Sequence, residues 1–242
     1  LTFFLAFLVI PAAAFIKGVI GFGFPAIATP ALALVMDVTM AVPALILPNI
    51  MMDGIQALRL SGLAATLRRH ALLYACGLVG MFVGTRLLVI LPPRIITLIL
   101  GSFVLAFVGL NLSRLSFTVA PTLERTLSPW IGLVSGVVGG ITNVPGQPLV
   151  PYLYALGMDK AEFVRSVAVS LFIYKVIQLA AVLQVGLMTW PLFRLSLLNS
   201  ALALGGFWLG VKVQDRVDAA AFNRLILGFL ALVGVGLIAR SL

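Results

Sequence analysis

Apolar runs of about 20 residues recur along this chain, and two of them are broken by glycine and proline at matching places. The first reads Gly18-Val-Ile-Gly-Phe-Gly-Phe-Pro-Ala-Ile-Ala-Thr-Pro30. The second reads Gly136-Val-Val-Gly-Gly-Ile-Thr-Asn-Val-Pro-Gly-Gln-Pro-Leu-Val-Pro151. A run of that length crosses ~30 Å of hydrocarbon as a helix. Lipid offers no partner for freed backbone groups, so a break must be buried in protein or line a watery cavity. Breaks at equivalent points of a repeated membrane protein mark a solute-binding region.

Composition narrows the class. Hydrophobic residues make up 62% of 242 and charged residues 10%, too few polar groups to cover a soluble surface. The lone Cys76 excludes a disulfide or a cysteine-based metal site. One histidine and seven acids leave little for metal binding or acid–base chemistry, so no enzyme, cofactor or metal is expected. The net charge of +9 comes from basic residues clustered at segment ends. That is a topology signal, not a nucleic-acid face. Leu1 to Ile10 read as the start of a membrane helix, not a cleaved signal.

The expected elements follow from the runs. A first helix over 2–22 breaks at Gly21–Pro25 and returns as a short arm over 26–36. Spans are expected at 40–59, 70–91 and 94–112, followed by a polar link from Ser113 to Ser128. The second half opens at Pro129-Trp130, breaks through Asn143–Pro148 and returns as an arm to Leu156. Further spans are expected at 162–185, 189–211 and 220–240. The halves match in order: Pro30 with Pro151 (151 − 30 = 121), Asp37 with Asp159 and Ile55-Gln56 with Ile177-Gln178 (both 122). Gly80 to Arg86 then matches Gly206 to Lys212 (206 − 80 = 126), and Leu98 to Gly101 matches Leu225 to Gly228 (127). Residues 1–120 and 121–242 thus read as two repeats of one membrane domain.

Charge orients them. Arg59, Arg68 and Arg69 place their loop in the cytoplasm, as do Arg114 with Arg125, the Asp159–Arg165 loop, and Arg216 with Lys212. This works only if each broken segment is a hairpin returning to its own side. Five segments per half then invert the second half and put both termini outside. The expected fold is an all-α polytopic membrane protein of two inverted repeats, each a broken-helix hairpin plus three transmembrane helices.

Site residues come from the breaks and the intramembrane polar positions. Gly21, Gly23, Pro25, Gly140, Gly146, Asn143 and Gln147 surround backbone N–H groups at half-helix starts, which suit an anion. Asp53 and Lys175 lie mid-span at aligned positions (175 − 53 = 122) and are expected to face inward and pair across the repeats, with a gating or coupling role. Gln56 and Gln178 lie one turn along, and Asn49 and Ser170 one turn back, offering amide and hydroxyl groups. Helix–helix hydrogen bonding is the competing use of each. Lys17 precedes the first break and adds positive charge or snorkels. Arg59, Arg86, Arg194 and Lys212 read as interface anchors, and Asn111 and Asn199 as packing or end residues. Gly80/Gly84 and Gly206/Gly210 are small-residue pairs for close helix packing.

Gly18-x-x-Gly-x-Gly with Pro30, Gly136-x-x-Gly-Gly with Pro151, and the glycine-rich spans at Gly80 and Gly206 carry a family likeness. Over nearly its whole length the chain resembles the sulfite exporter TauE/SafE family, also called the toluene sulfonate uptake permease (TSUP) family. The resemblance implies a secondary transporter in the bacterial inner membrane, with two inverted halves. Its implied substrates are small sulfur-containing anions: sulfite, sulfoacetate or other organosulfonates. The lipid bilayer and a coupling proton or sodium ion are the other implied partners. The chain departs from the family pattern in Phe22 and Phe24 beside Gly23, and in Asn49 where relatives carry a small hydroxyl residue. The rival reading is an inverted-repeat channel for a small anion or neutral solute, which Asn143-Val-Pro145 faintly suggests. The first break has no matching asparagine, which counts against it.

Overall fold

The protein is seen in a computed structural model that describes residues 2–59, 62–113, 118–214 and 219–241. Arg114 and Arg216, used above for orientation, lie outside the described residues. The described residues form eleven α-helices and no strand: α1 (Thr2–Ile20), α2 (Phe24–Ala33), α3 (Val38–Arg59), α4 (Leu63–Arg69), α5 (Ala71–Ile90), α6 (Pro93–Leu112), α7 (Pro121–Thr142), α8 (Gly146–Ala155), α9 (Lys160–Gln184), α10 (Trp190–Val213) and α11 (Ala219–Ser241). Among the described residues, α3, α5, α6, α9 and α10 are long and apolar enough to cross a membrane. This is an all-α, multi-pass membrane protein. Side chains such as Leu58, Ile90 and Leu232 stay exposed on it, as lipid-facing positions do.

Both breaks fall where the sequence put them. Gly21 and Gly23 adopt φ of 91° and 100°, a left-handed turn that L side chains resist, and Pro25 then enters the first turn of α2. At the second break Asn143 takes the left-handed position itself, at φ 68°, the only non-glycine residue described with positive φ. Pro145 follows and α8 starts at Gly146.

Two expectations need correcting. The helix expected to open at Pro129 starts earlier, because α7 begins at Pro121 and includes Glu124 and Arg125. The loop after α3 is also partly helical, since Gly62 at φ 93° starts α4. Both features serve one end of the bundle. Arg69, at the end of α4, holds Glu124 of α7 through Nε and Nη2, each at 2.9 Å, and Glu162 of α9 through Nη1 at 2.8 Å. Arg165 of α9 donates to Thr66 at 2.7 Å. The polar residues that read as a link are the far half of this latch. Arg69 holds the Glu124 carboxyl below the usual carboxylate range, and the hydrogen bonds to Glu124 raise the Arg69 guanidinium in turn.

Packing repeats across the halves. α1 packs on α10 as α7 packs on α5, and α3 packs on α10 as α9 packs on α5. The helices α3 and α9 meet each other, as do α6 and α11. Close approaches recur at equivalent residues: Gly206 meets the backbone of Pro11 and Gly80 that of Leu133, while Gly210 meets Phe15 and Gly84 meets Val137. The partner pairs share one offset (133 − 11 = 122 and 137 − 15 = 122). Small residues there let two backbones touch. The interface anchors are amphipathic: Arg59 and Lys212 lie over Trp208, and Arg194 over Trp190.

Proline chemistry explains Asn199. Pro48 has no N–H, so the carbonyl of Ala44 one turn back loses its helical donor. The Asn199 amide donates to that carbonyl at 3.0 Å, tying α10 to α3.

Candidate functional site

The two breaks wall one small cavity. Gly23 and Pro25 line it from the first, with Ile20 and Phe22, and Val144, Gly146 and Gln147 line it from the second. Its volume is about 70 Å³, several times the ~10–15 Å³ that a single water needs. The half-helices α2 and α8 both begin at this cavity, so their free N–H groups and positive dipole ends turn toward it. Gln147 lies in the wall, 7% exposed, and neither Nε2 nor Oε1 has a hydrogen-bond partner among the described residues. The breaks also touch directly, because Asn143 Nδ2 donates to Thr29 Oγ1 of α2 at 2.9 Å.

Beside the breaks lie the buried charges. Lys17, Asp53 and Lys175 are all fully buried. Lys17 sits in the last turn of α1 and forms an ion pair with Asp53 Oδ1. The expected Asp53–Lys175 pair is therefore replaced: the turn at Gly21 ends α1 with Lys17 against α3, and Asp53 takes the nearer cation. Asp53 Oδ2 remains buried without a partner. Lys175 turns instead to the second break. Its ammonium donates to the Asn143 carbonyl at 2.8 Å, to Asn143 Oδ1, and to Gln178 Oε1 at 2.7 Å. Gln178 Nε2 in turn donates to the Gly139 carbonyl at 3.0 Å. Lys175 thus caps the C-terminal end of α7, where a helix presents free carbonyls and partial negative charge.

Three acceptors surround one nitrogen, as many as an ammonium has donors. An ammonium has three donors, whereas a neutral amine has two N–H groups and a lone pair that would face an oxygen. All three acceptors are neutral amide oxygens. Among the described residues no carboxylate lies within ion-pair distance of Lys175.

The remaining expected residues are placed as follows. Gln56 lies beside the first break, its Nε2 3.1 Å from where a Cβ on Gly21 would stand. Asn49 Nδ2 donates to the Leu45 carbonyl of its own helix at 2.7 Å, and its Oδ1 has no partner. Ser170 donates to the Ser166 carbonyl of its own helix at 2.6 Å. Gly140 is packed against α5, where an added Cβ would stand 2.5 Å from the Thr85 nitrogen. Sequence reasoning noted the charge of Lys17 but not its partner, and it missed Thr29. The one signal for Thr29 was a hydroxyl inside a ten-residue apolar half-helix.

Two interrupted helices, a shared cavity between them and charges buried beside the breaks are the arrangement of a membrane carrier. The family follows from comparison: residues 5–237 match the family model described as Sulfite exporter TauE/SafE. The chain belongs to that family, which is one of membrane transporters and not of enzymes. No match was found among curated proteins or among solved structures.

Proposed function

We propose that this protein is a secondary transporter of small sulfur-containing anions such as sulfite, sulfoacetate or other organosulfonates, holding the anion between its two breaks. The observation that carries this reading is Lys175. It is a fully buried basic side chain held by neutral acceptors and bound to Asn143, the chain neighbour of the cavity wall. A buried lysine without a carboxylate is costly in its charged form, and an anion in the adjacent cavity would offset that cost. The N-termini of α2 and α8 and the Gln147 amide add hydrogen-bond donors for sulfonate oxygens. Gly146 and Gly23 let the backbone come close, while Gln56 and Gln178 brace the breaks from α3 and α9.

The exchange of packing partners between the halves supports two repeats, 1–120 and 121–242, related by a two-fold axis. With the charge pattern it supports inverted repeats, both termini external, in a bacterial inner membrane. Alternating access follows as rocking of one hairpin-bearing bundle against the other. Purified protein in proteoliposomes should take up labelled sulfite or methanesulfonate with saturable kinetics. Absence of flux overturns the proposal, and flux linear in concentration favours the channel.

A further inference from the structure

The latched end of the bundle carries a second groove, which shares no lining residue with the cavity between the breaks. Its volume is about 690 Å³, within the ~300–1,000 Å³ of small-ligand clefts. Arg68 and Arg69 of α4 and Arg125 of α7 line it, and Glu124 is the one acid in its wall. Both carboxylate oxygens of Glu124 are held by Arg69, which also holds Glu162. These charges answer one another. Arg68 and Arg125 make no hydrogen bond or ion pair with any described residue. The groove therefore holds two unanswered guanidiniums, brought together from two helices. Basic residues at this end are expected for topology alone. Other basic residues at helix ends have partners, however: Arg59 and Lys212 lie over the Trp208 ring and Arg194 over that of Trp190. Arg68 and Arg125 stand over no ring among the described residues.

The rest of the wall is apolar and runs into the lipid-facing surface. Leu72 and Ala75 of α5 line the groove and are exposed. At helical spacing the same face of α5 continues through Val79 and Val83, 60% and 46% exposed. A charged cleft at the helix ends thus opens onto an apolar helix face. That combination suits a ligand with an anionic head and a hydrocarbon tail. We infer that this groove binds an anionic phospholipid, with its phosphodiester between Arg68 and Arg125 and an acyl chain along α5. The planar guanidinium fork matches phosphate oxygens, and basic pockets between membrane helices take such headgroups. A phosphate held by both arginines ties α4 to α7 a second time, beside the Arg69–Glu124 contact. The inference is independent of which solute the cavity between the breaks takes.

The test titrates the full chain in detergent with phosphatidylglycerol or phosphatidylcholine and reads the first bound lipid by native mass spectrometry. The wild type should bind phosphatidylglycerol about tenfold or more tightly than phosphatidylcholine, and equal binding overturns the inference. Each arginine should contribute about fivefold, so Arg68→Gln with Arg125→Gln should weaken phosphatidylglycerol binding roughly twenty-five-fold and leave phosphatidylcholine unchanged. Arg59→Gln with Lys212→Gln, the other basic pair expected at the cytoplasmic face, should leave both lipids within about twofold. Equal losses in the two double variants mean attraction to the basic end as a whole and overturn the inference. Displacement of bound phosphatidylglycerol by water-soluble glycerol phosphate makes the groove a site for a free phosphate and overturns it as well. Should the Arg68/Arg125 double variant fail to fold, the single variants decide, and wild-type affinity for phosphatidylglycerol in both refutes the site.

Discussion

Replacing Gln147 by leucine separates a binding role from a structural one. The amide is 7% exposed, lines the cavity between the breaks, and makes no hydrogen bond to any described residue through either polar atom. Leucine has nearly the same volume and removes a buried polar group without stranding a partner. Stability should therefore hold or rise by about 1 kcal/mol. The loaded carrier loses one hydrogen bond to a charged group, which is worth ~1.5–3 kcal/mol. That corresponds to roughly a 10–150-fold weaker affinity. The assay pairs a thermal melt in detergent, followed by intrinsic fluorescence, with the KM of labelled methanesulfonate uptake in proteoliposomes. Gln147→Glu should raise KM further, because a carboxylate there repels the anion. A melting temperature several degrees lower with an unchanged KM would refute the reasoning and make Gln147 a structural residue.

Lys175→Met strands three buried amide oxygens at ~1–3 kcal/mol each, partly offset by removal of a buried charge. It should lower the melting temperature and abolish saturable anion uptake; uptake with a wild-type KM would remove Lys175 from the site. Gly140→Ala forces a methyl onto the α5 backbone and should cost about 1–3 kcal/mol, whereas Gly205→Ala, with nothing within 4 Å, should stabilise by up to ~1 kcal/mol; detergent melts compare the two. At the latch, Arg69 depresses the Glu124 carboxyl, so this contact stabilises the fold above the unfolded glutamate range and is lost as pH falls through the lower folded value. Glu124→Gln should flatten that acid limb in melts taken between pH ~7 and ~3, and should cost about 1 kcal/mol at neutral pH because the latch is partly solvated. An acid limb of unchanged steepness would assign it to other carboxylates.

The order of elements and both breaks were legible because each rests on local chemistry. Long apolar runs demand helices, and two glycines followed by a proline within five residues, Gly21 to Pro25, disfavour carrying one through. The start of α7 was not legible. Glu124 and Arg125 look like loop residues until Arg69, 55 positions away from Glu124, supplies the partner that makes a polar helical turn favourable there. The charge pairing failed for a related reason. Equivalent positions in two repeats approach each other only near the symmetry axis, and alignment says nothing of their distance from it. Asp53 and Lys175 were correctly expected inside, but which cation Asp53 meets depends on the rotation of α1 about its axis. An uninterrupted apolar helix carries no amphipathic stripe to reveal that rotation.

The two halves pack alike, whereas their buried charges differ. Glycines at matching positions meet matching backbones, and helices exchange partners pairwise. At the first break Lys17 meets a carboxylate, that of Asp53; at the second, Lys175 meets only the amide oxygens of Asn143 and Gln178. Backbone packing needs only small residues at the right spacing, so it tolerates this difference without cost.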